Sequence, residues 1–396
     1  MNQLNKHSRT SRPLDKRRRV ALLVETTKSL GRGVLSGISR FVRTRASWST
    51  IVDERNLHDP VPRWLNQSRG DGIICRGTDR TIIDFATSSG VPIVKLGGEF
   101  DDQIPTVVAN EELISRRAAE HLLACRLSQF AFAGVKGKRW SELRRAAFTQ
   151  ILSEAGFECQ CYDLDQAGGR QRSWDRDQQS LGKWIESLPT PTGVFVAYDV
   201  LGLQALNACH AIGRLVPDEI VLMGVDNDEA LCQLANPPLT SVAQDFEGIG
   251  FAAAQLLDDL MCGRAPVETM QVIHPLDVIV RQSTDLIAAP DQDVTMALRF
   301  IRENACRGLK VNEVANCLNL SRRTLERRFA QCIQRSPKEE IIRVQINRVK
   351  ELLVASDYTL EQIAGLTGFN HVSHMCVLFK KRIGVSPGKH RSRNEP

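Results

Sequence analysis

The arginines near the carboxyl end of the chain have a spacing that suits contact with nucleic acid. Ser321 can cap a helix in which Leu325 and Phe329 fall on one side. Arg323 and Arg327 then point away from that side, where guanidinium groups can bind guanine edges in a DNA major groove. Cations on the flanks of the helix suit phosphates. The predicted DNA contacts of this helix are Arg322, Arg323, Thr324, Arg327 and Arg328.

A second helix with an outward polar face follows about fifty residues later. Thr359 and Gln362 have the spacing of a capping box, and Gly368 permits a sharp turn before a helix at 371–382. Its predicted DNA contacts are Ser373, His374 and Lys381, while Val377 also faces outward. The sequence therefore predicts two helix-turn-helix units, at about 311–330 and 359–382.

Other chemistry finds little support in the sequence. His371 and His374 lack a third partner for a metal, and the eleven cysteines form no CxxC pair. We therefore expect no metal site and reduced thiols, as in a cytoplasmic protein. The absence of a glycine-rich phosphate loop and of a nucleophile elbow predicts no catalytic site, so the chain is not expected to be an enzyme.

Charged and aromatic residues also follow the predicted strands of the first 285 residues. Carboxylates and guanidinium groups satisfy sugar hydroxyls, and an aromatic ring covers the C–H face of a sugar. Ligands of open α/β sheets bind at the carboxyl ends of the strands, where these residues lie. Each also has a structural alternative, as a helix cap, a surface ion pair or a core residue. The predicted ligand contacts are Arg32, Trp140, Arg144, Asp199 and Asp226.

Alternating apolar strands and amphipathic helices must position those residues. Buried strands are predicted near 20–24, 73–74, 92–95, 106–108, 130–134, 193–196 and 220–224, with helices between them. This alternation predicts parallel sheets with right-handed crossovers, and its length suits two α/β lobes. Everything beyond a linker at about 283–293 is predicted to be helical.

Charge is distributed unevenly along the 396 residues. Residues 291–396 contain 19 Lys/Arg against 11 Asp/Glu, and residues 1–19 contain seven against one. The segment between them is acidic, so the basic carboxyl-terminal part is the one expected to meet phosphate. Residues 1–19 are interpreted as a basic disordered arm, not a secretory signal, and no apolar run is long enough for a membrane span.

The segment 20–285 resembles the LacI-type sensor domain, which is periplasmic-binding-protein-like. The resemblance is carried by Arg144 with Phe148, by 197–199, by 223–227 and by 239–245. It implies that Arg144, Asp226 and the turn at Tyr198 and Asp199 face a sugar between two lobes. Two features depart from that family: Asn110-Glu111 replaces the usual Asp-Asn, and the family's amino-terminal DNA-binding helices are missing.

The segment 291–391 resembles the AraC-type DNA-binding domain, and we assign 286–396 to it. The stretches at 365–369 and 379–387 carry the resemblance, while Met375 stands where that family usually has an aromatic residue. The predicted fold class is thus a two-lobed α/β sensor followed by an all-α domain with two helix-turn-helix motifs.

The two domains in this order resemble the regulators of pentose operons, as do the stretches 137–140 and 241–244. The resemblance implies a cytoplasmic, homodimeric activator that binds a DNA operator and RNA polymerase. D-xylose is the first effector that it implies, with another pentose, a hexose or a sugar phosphate as alternatives. A sugar-binding carrier protein would fit the sensor but would leave 291–396 unexplained.

Overall fold

The computed structural model describes residues 17–53, 62, 70–76, 80–98, 104–165, 174–266, 268–285 and 291–392. The chain divides into two compact units, Met1–Asp285 and Leu286–Pro396. Most of the predicted basic arm, and the middle of the predicted linker, lie outside the described residues. Among the described helices, none has the length and apolar character needed to cross a membrane.

The first lobe of the sensor is built on a parallel six-stranded sheet with the order β11-β5-β4-β3-β1-β2. Its central strands are almost continuously apolar and buried, as expected for a sheet covered on both faces. The strands are β1 (Arg18–Leu23), β2 (Trp48–Val52), β3 (Gly72–Arg76), β4 (Ile93–Leu96), β5 (Thr106–Ala109) and β11 (Met270–Ile273). The helices of this lobe are α1 (Ser29–Arg45), α2 (Arg80–Ser89) and α8 (Phe246–Met261).

The second lobe repeats this plan with the strand order β12-β10-β9-β8-β6-β7. Only the pair formed by β10 and β12 is antiparallel. The strands are β6 (Phe130–Val135), β7 (Cys159–Leu164), β8 (Thr192–Val196), β9 (Ile220–Asp226), β10 (Thr240–Ala243) and β12 (Val278–Ile279). The helices are α3 (Glu111–Ala124), α4 (Arg139–Glu154), α5 (Trp174–Ser187), α6 (Asp199–Ala211) and α7 (Glu229–Leu234).

The chain passes between the lobes three times, after β5, after β10 and after β11. Two of these crossovers end in a helix cap. The Asn110 side chain accepts from the backbone N–H of Leu113, and the Asp245 side chain accepts from that of Gly248. Because each cap fixes the first turn of the helix that follows, residues at the crossovers are held in defined positions at the mouth of the cleft.

Helices α1 and α8 cross at very short range because glycine stands at the contact. A β-carbon on Gly250 would lie 2.0 Å from the carbonyl oxygen of Val34. A β-carbon on Gly37 would lie 2.0 Å from the carbonyl oxygen of Glu247. The first lobe can therefore close its core only with hydrogen at both positions.

The sensor extends further than the predicted linker allowed. Residues 282–284 form a turn of 3-10 helix, in which Ser283 and Thr284 are buried. Ser283 Oγ donates to the carbonyl of Leu222 at 2.6 Å, and the hydroxyls of Thr284 and Thr240 are 2.9 Å apart. The prediction that the linker begins at Ser283 is wrong because these hydroxyls are tied to β9 and β10. At the other end, Asp291 already caps the next helix.

The described residues of the second unit form helices joined by turns, around two small cores. Val314, Leu325 and Phe329 belong to the first core, and Ile363, Met375 and Phe379 belong to the second. The helices are α9 (Gln292–Asn304), α10 (Val311–Cys317), α11 (Arg322–Ile333), α12 (Pro337–Ala355), α13 (Leu360–Leu366), α14 (Val372–Ile383) and α15 (Pro387–Ser392). Helix α12 contributes to both cores, so it joins the two helix-turn-helix units.

One buried amide fastens the turn of the second helix-turn-helix unit to the segment just before the first unit, which packs in the same core as that unit. Gln345 Nε2, in the middle of α12, donates to the carbonyl of Ala305 at 2.9 Å and to that of Gly368 at 3.3 Å. Gly368 has a positive φ of 75°, and a β-carbon there would lie 2.7 Å from the backbone nitrogen of Gly308. The turn of the second unit is therefore packed directly against the first.

Candidate ligand cleft and nucleic-acid interface

Arg144 is the most constrained charged residue predicted to bind a ligand. It lies on α4 with only 4% of its surface exposed. Its Nε donates to Glu111 Oε2 at 2.6 Å, its Nη1 donates to the carbonyl of Ala197, and its guanidinium carbon lies 5.1 Å from the Trp140 ring centre. A buried cation with an acid, a carbonyl and a ring around it keeps one orientation. It can offer its remaining N–H groups to hydroxyls.

Asp226 ends β9 and faces the same region. Gln244, just after β10, donates to Asp226 Oδ1 at 2.6 Å, which leaves the second carboxylate oxygen for another donor. The backbone of Asp226 has a φ of 108° and that of Asn227 a φ of 51°, values that side-chain-bearing residues rarely adopt. Strain of this kind is retained where it aims a functional group, and here it turns the carboxylate at the strand end.

Asp199 is buried at 1% exposure, but its oxygens already have protein partners. It accepts from Ser241 Oγ at 2.7 Å, from the backbone N–H of Asp228 at 2.8 Å and from Cys232 Sγ at 3.4 Å. These contacts hold the loop that follows Asp226. In this structure Asp199 therefore positions the strained loop, and direct contact between Asp199 and a ligand stays a prediction.

The first lobe contributes an ion pair that the sequence analysis missed. Arg76 Nη1 donates to Glu25 Oε2 at 2.6 Å, and Lys28 Nζ lies 3.2 Å from the other oxygen of Glu25. Glu25 follows β1 and Arg76 is the last residue of β3, so both lie at carboxyl ends of strands. The rule that located Arg144 and Asp226 would also have located Arg76. Arg76 is close enough to Asp226 to act on its pKa.

The other two predicted contacts, Trp140 and Arg32, are less buried than Arg144. Trp140 is half-buried and meets Tyr198 edge to face, with ring centres 5.7 Å apart. Arg32 is exposed, and its Nη1 donates to the carbonyl of Thr27 at 2.8 Å. Arg32 therefore braces the loop between β1 and α1 in this structure. Its contact with a ligand stays a prediction.

Carboxyl groups outnumber guanidinium groups around Asp226. Burial raises the pKa of Asp226 to about 6, although Arg144 and the hydrogen bond from Gln244 act in the opposite direction. Burial and the neighbouring Asp226 raise the pKa of Asp199 to about 8. Burial also raises the pKa of Glu111 above its usual value, against the attraction of Arg144. All three acids have raised pKa values, so burial disfavours a negative charge in this region.

The raised pKa values predict that the sensor is less stable in alkaline solution. In the unfolded chain both carboxyl groups lose their protons near pH 4. In the folded chain Asp226 keeps its proton to about pH 6 and Asp199 to about pH 8. The free energy of unfolding should therefore fall as the pH rises from about 4 to about 8, by at least about 2 kcal/mol, since each unit of pKa shift is about 1.4 kcal/mol. Urea unfolding at successive pH values measures this, and Asp199→Asn should flatten the upper half of the profile.

The predicted nucleic-acid contacts of helix α11 differ in their exposure and in their protein partners. Arg323 and Arg327 are exposed on the side away from buried Leu325 and Phe329. Neither arginine has a hydrogen-bond or ion-pair partner among the described residues. Ser321 caps the helix by accepting from the backbone N–H of Thr324, which is half-buried. The face centred on Arg327 can therefore enter a groove without breaking an ion pair.

The two flanking arginines of α11 have protein partners. Arg322 Nε donates to Glu326 Oε1 at 2.8 Å on the exposed surface, where such pairs exchange readily with phosphate. Arg328 Nη1 donates to Asp291 at 3.0 Å and to Asp293 at 2.5 Å, at the start of α9. The structure thus uses Arg328 to hold α9 on α11. This differs from the phosphate contact expected from the helix pattern alone.

Helix α14 has the predicted outward residues in place. Ser373, His374 and Lys381 are exposed, and the His374 ring meets Phe369 edge to face with centres 5.9 Å apart. The expected capping box at Thr359 is present, a second one lies at Ser336, and Gly384 ends α14 with a φ of 84°. The start of α12 and the whole second helix-turn-helix unit are therefore fixed by local contacts.

Comparison with known families agrees with this architecture. A model described as the XylR N-terminal domain matches residues 19–109. A periplasmic binding protein-like domain matches residues 119–284, and a helix-turn-helix domain matches residues 314–393. The predicted fold class is confirmed.

Similar proteins extend the match to nearly the whole chain. The xylose operon regulatory protein of Escherichia coli K12 is 29% identical over 96% of this chain and 98% of its own. A solved structure described as the xylose-binding transcription activator xylR has a TM-score of 0.82 and 28% identity, over 96% of this chain and all of its own. The complex of the regulator CelR with cellobiose, at 24% identity and a TM-score of 0.56, shares the fold over 67% of this chain and 85% of its own.

The xylose operon regulatory protein of Haemophilus influenzae is 30% identical over 94% of this chain and 98% of its own. The order of the domains, the lobes and the paired helix-turn-helix units is the same as in these relatives. The chain therefore belongs to the family of xylose operon regulatory proteins.

Proposed function

We propose that this protein is a sugar-responsive transcriptional activator whose effector is D-xylose or a closely related neutral pentose. The observation that carries the proposal is the buried Arg144 beside Asp226, at the carboxyl ends of the strands of a two-lobed sensor. A guanidinium group and a strained carboxylate can together donate to and accept from vicinal hydroxyls. The relatives named for xylose support this choice of sugar.

The charge of the cleft favours a neutral ligand over an acidic one. Glu111, Asp199 and Asp226 lie around Arg144, and Arg76 is already paired with Glu25. A sugar phosphate would bring a negative charge into a buried region where burial already raises the pKa of each of these acids, so removing that charge from water would be costly. A neutral sugar meets no such penalty, so the phosphorylated alternatives rank below free pentoses and hexoses.

Strand β10 offers a short route from the cleft to the end of the sensor. Ser241 donates to Asp199 on the cleft side, while the adjacent Thr240 meets Thr284, the residue before the last one of the sensor. Arg281 also donates to Asn227, the residue after Asp226, at 2.8 Å. We infer that a sugar changes DNA binding by favouring the arrangement of these contacts found in the DNA-competent state.

The partners follow from the same proposal. The DNA-binding domain meets a double-stranded operator through Arg323 and Arg327 in the first unit and through Ser373, His374 and Lys381 in the second. The sensor forms a homodimer, and the bound activator contacts RNA polymerase in the cytoplasm. These statements rest on the family and on the exposed basic face of α11.

Two measurements on the full chain test the proposal. Calorimetric titration with D-xylose, L-arabinose, D-ribose, D-glucose and D-xylose 5-phosphate should give the tightest binding for a neutral pentose and none for the phosphate. Operator affinity should then change when the preferred sugar is added. If no neutral sugar gives a heat of binding, the proposed sensor function is wrong. If the dissociation constant for DNA and the DNA bending are the same with and without sugar, the proposed control of DNA binding by sugar is wrong.

Two neighbouring arginines of α11 should separate base reading from internal support. Arg327→Ala should cost about 1–3 kcal/mol in operator binding and relax base preference, because it removes an exposed guanidinium that has no partner among the described residues. Arg328→Ala should lower the free energy of unfolding by about 1 kcal/mol, because it frees Asp291 and Asp293. Competition binding with operator variants, salt titration and thermal unfolding distinguish the two. If Arg328→Ala instead reduces the salt dependence of DNA binding and leaves stability unchanged, Arg328 contacts phosphate, as the helix pattern predicted.

A further inference from the structure

The two DNA-facing helices differ at their central outward position. In α11 the buried residues Leu325 and Phe329 flank Arg327, and in α14 the buried residues Met375 and Phe379 flank Val377 in the same register. Val377 therefore occupies in the second unit the position that Arg327 occupies in the first. At 100° per residue it points directly away from the core.

Val377 is an unusual residue for that position, since 64% of its surface is exposed. The residues around it on the same face are Ser373, His374, Lys380 and Lys381, all exposed and polar or basic. A branched apolar side chain at the centre of a basic face can form no hydrogen bond with a base edge. It can pack against the one apolar group in the DNA major groove, which is the C5-methyl group of thymine.

We propose that Val377 is a specificity residue that recognises a thymine methyl group in the operator. This rests on the proposed function of the chain as a DNA-binding regulator and deepens it. The surrounding cations position α14 on the phosphates, and Val377 selects thymine by burying its methyl group. The first unit uses hydrogen bonds from guanidinium groups, so the two units of one domain read different chemical features of DNA.

The experiment compares thymine with deoxyuridine, because the two bases pair alike and differ only in the C5-methyl group. An operator is first selected from random duplex DNA with the full-length protein in the presence of D-xylose. Each thymine of the selected duplex is then replaced singly by deoxyuridine, and the dissociation constant is measured. For the wild-type protein at least one replacement should weaken binding about fourfold, as expected for losing one buried methyl group.

The same replacement should have a much smaller effect on Val377→Ala, because the shorter side chain buries less of the methyl group. Val354→Ala is the matched control: this valine of α12 is 55% exposed and does not lie on α14, so its variant should keep the wild-type sensitivity to deoxyuridine. Arg327→Ala should also keep it, since its contact belongs to the other unit.

The outcomes are distinct. A deoxyuridine effect that persists at full size in Val377→Ala overturns the proposal, and so does a selected operator in which no thymine methyl group matters. In both cases DNA binding itself is intact, and the proposed function stands. If the full-length protein selects no sequence at all, the proposed function fails, and the inference about Val377 fails with it.

Discussion

Replacing Arg144 by methionine should weaken sugar binding more than about a hundredfold, a loss of about 3 kcal/mol. The substitution removes the buried cation of α4 that lies near Asp226 and leaves Glu111, which accepts from Arg144 at 2.6 Å, without this partner. Trp140 lies 5.1 Å from the guanidinium carbon, so its fluorescence is a suitable signal. Fluorescence and calorimetric titration of the full chain with D-xylose measure the effect.

The adjacent arginine provides the control. Arg145 lies on the same helix but pairs with Asp163, and its side chain is 36% exposed. Arg145→Met should therefore leave the sugar affinity within about twofold of the wild-type value. If the Arg144 and Arg145 variants bind sugar equally well, the ligand lies elsewhere and the cleft assignment is wrong. Glu111→Gln combined with Arg144→Met distinguishes loss of the ligand contact from loss of folding, because it leaves no unpaired acid at position 111.

Replacing Gly250 by alanine should destabilise the sensor by about 3 kcal/mol. The new methyl group would lie 2.0 Å from the carbonyl oxygen of Val34, and backbone cannot move aside as a flexible side chain can. Helices α1 and α8 would have to separate, which opens the core of the first lobe. All five tryptophans lie between residues 48 and 184, so tryptophan fluorescence during urea unfolding follows the sensor and not the helical domain.

Gly182→Ala is the comparison for the Gly250 variant. Gly182 is also a buried helical glycine of the sensor, but a β-carbon there would meet only Ile212 Cγ2 at an ordinary 3.5 Å. This substitution should be neutral or stabilise by a few tenths of a kcal/mol, since alanine favours helix. Equal stability of the Gly250 variant and the wild type would show that α1 and α8 do not pack as described.

Most inner strands of both sheets could be predicted from sequence, whereas those at the edges and the short inner strand β10 could not. Strands such as β6 and β9 are runs of buried apolar residues, and burial on both faces leaves that mark on a sequence. Strands β2 and β7 lie at sheet edges and each has only one buried residue, so their residues carry no comparable pattern. The helix caps were predictable because a capping box depends on residues three apart.

Local patterns also explain which parts of the site could be predicted. Arg144 and Asp226 follow predicted strands, so the rule of strand ends found them. The partner of Arg144 is Glu111, 33 positions away, and the partners of Arg328 are 35 and 37 positions away. A helical pattern gives the direction of a side chain but not the residue that it meets. Gln244 was missed for a related reason, since the short strand β10 before it was not predicted.

The hydrogen bonds of Gln345 have a consequence for promoters. Since that amide holds Ala305 and Gly368 together, the two recognition helices keep a constant rotational phase about the DNA axis. The double helix repeats every ~10.5 base pairs, so each base pair inserted between the two contacted segments rotates one of them out of register. The distance between those segments should therefore vary less among target promoters than the bases within them. A deletion between them should not be compensated by a more favourable base sequence on either side.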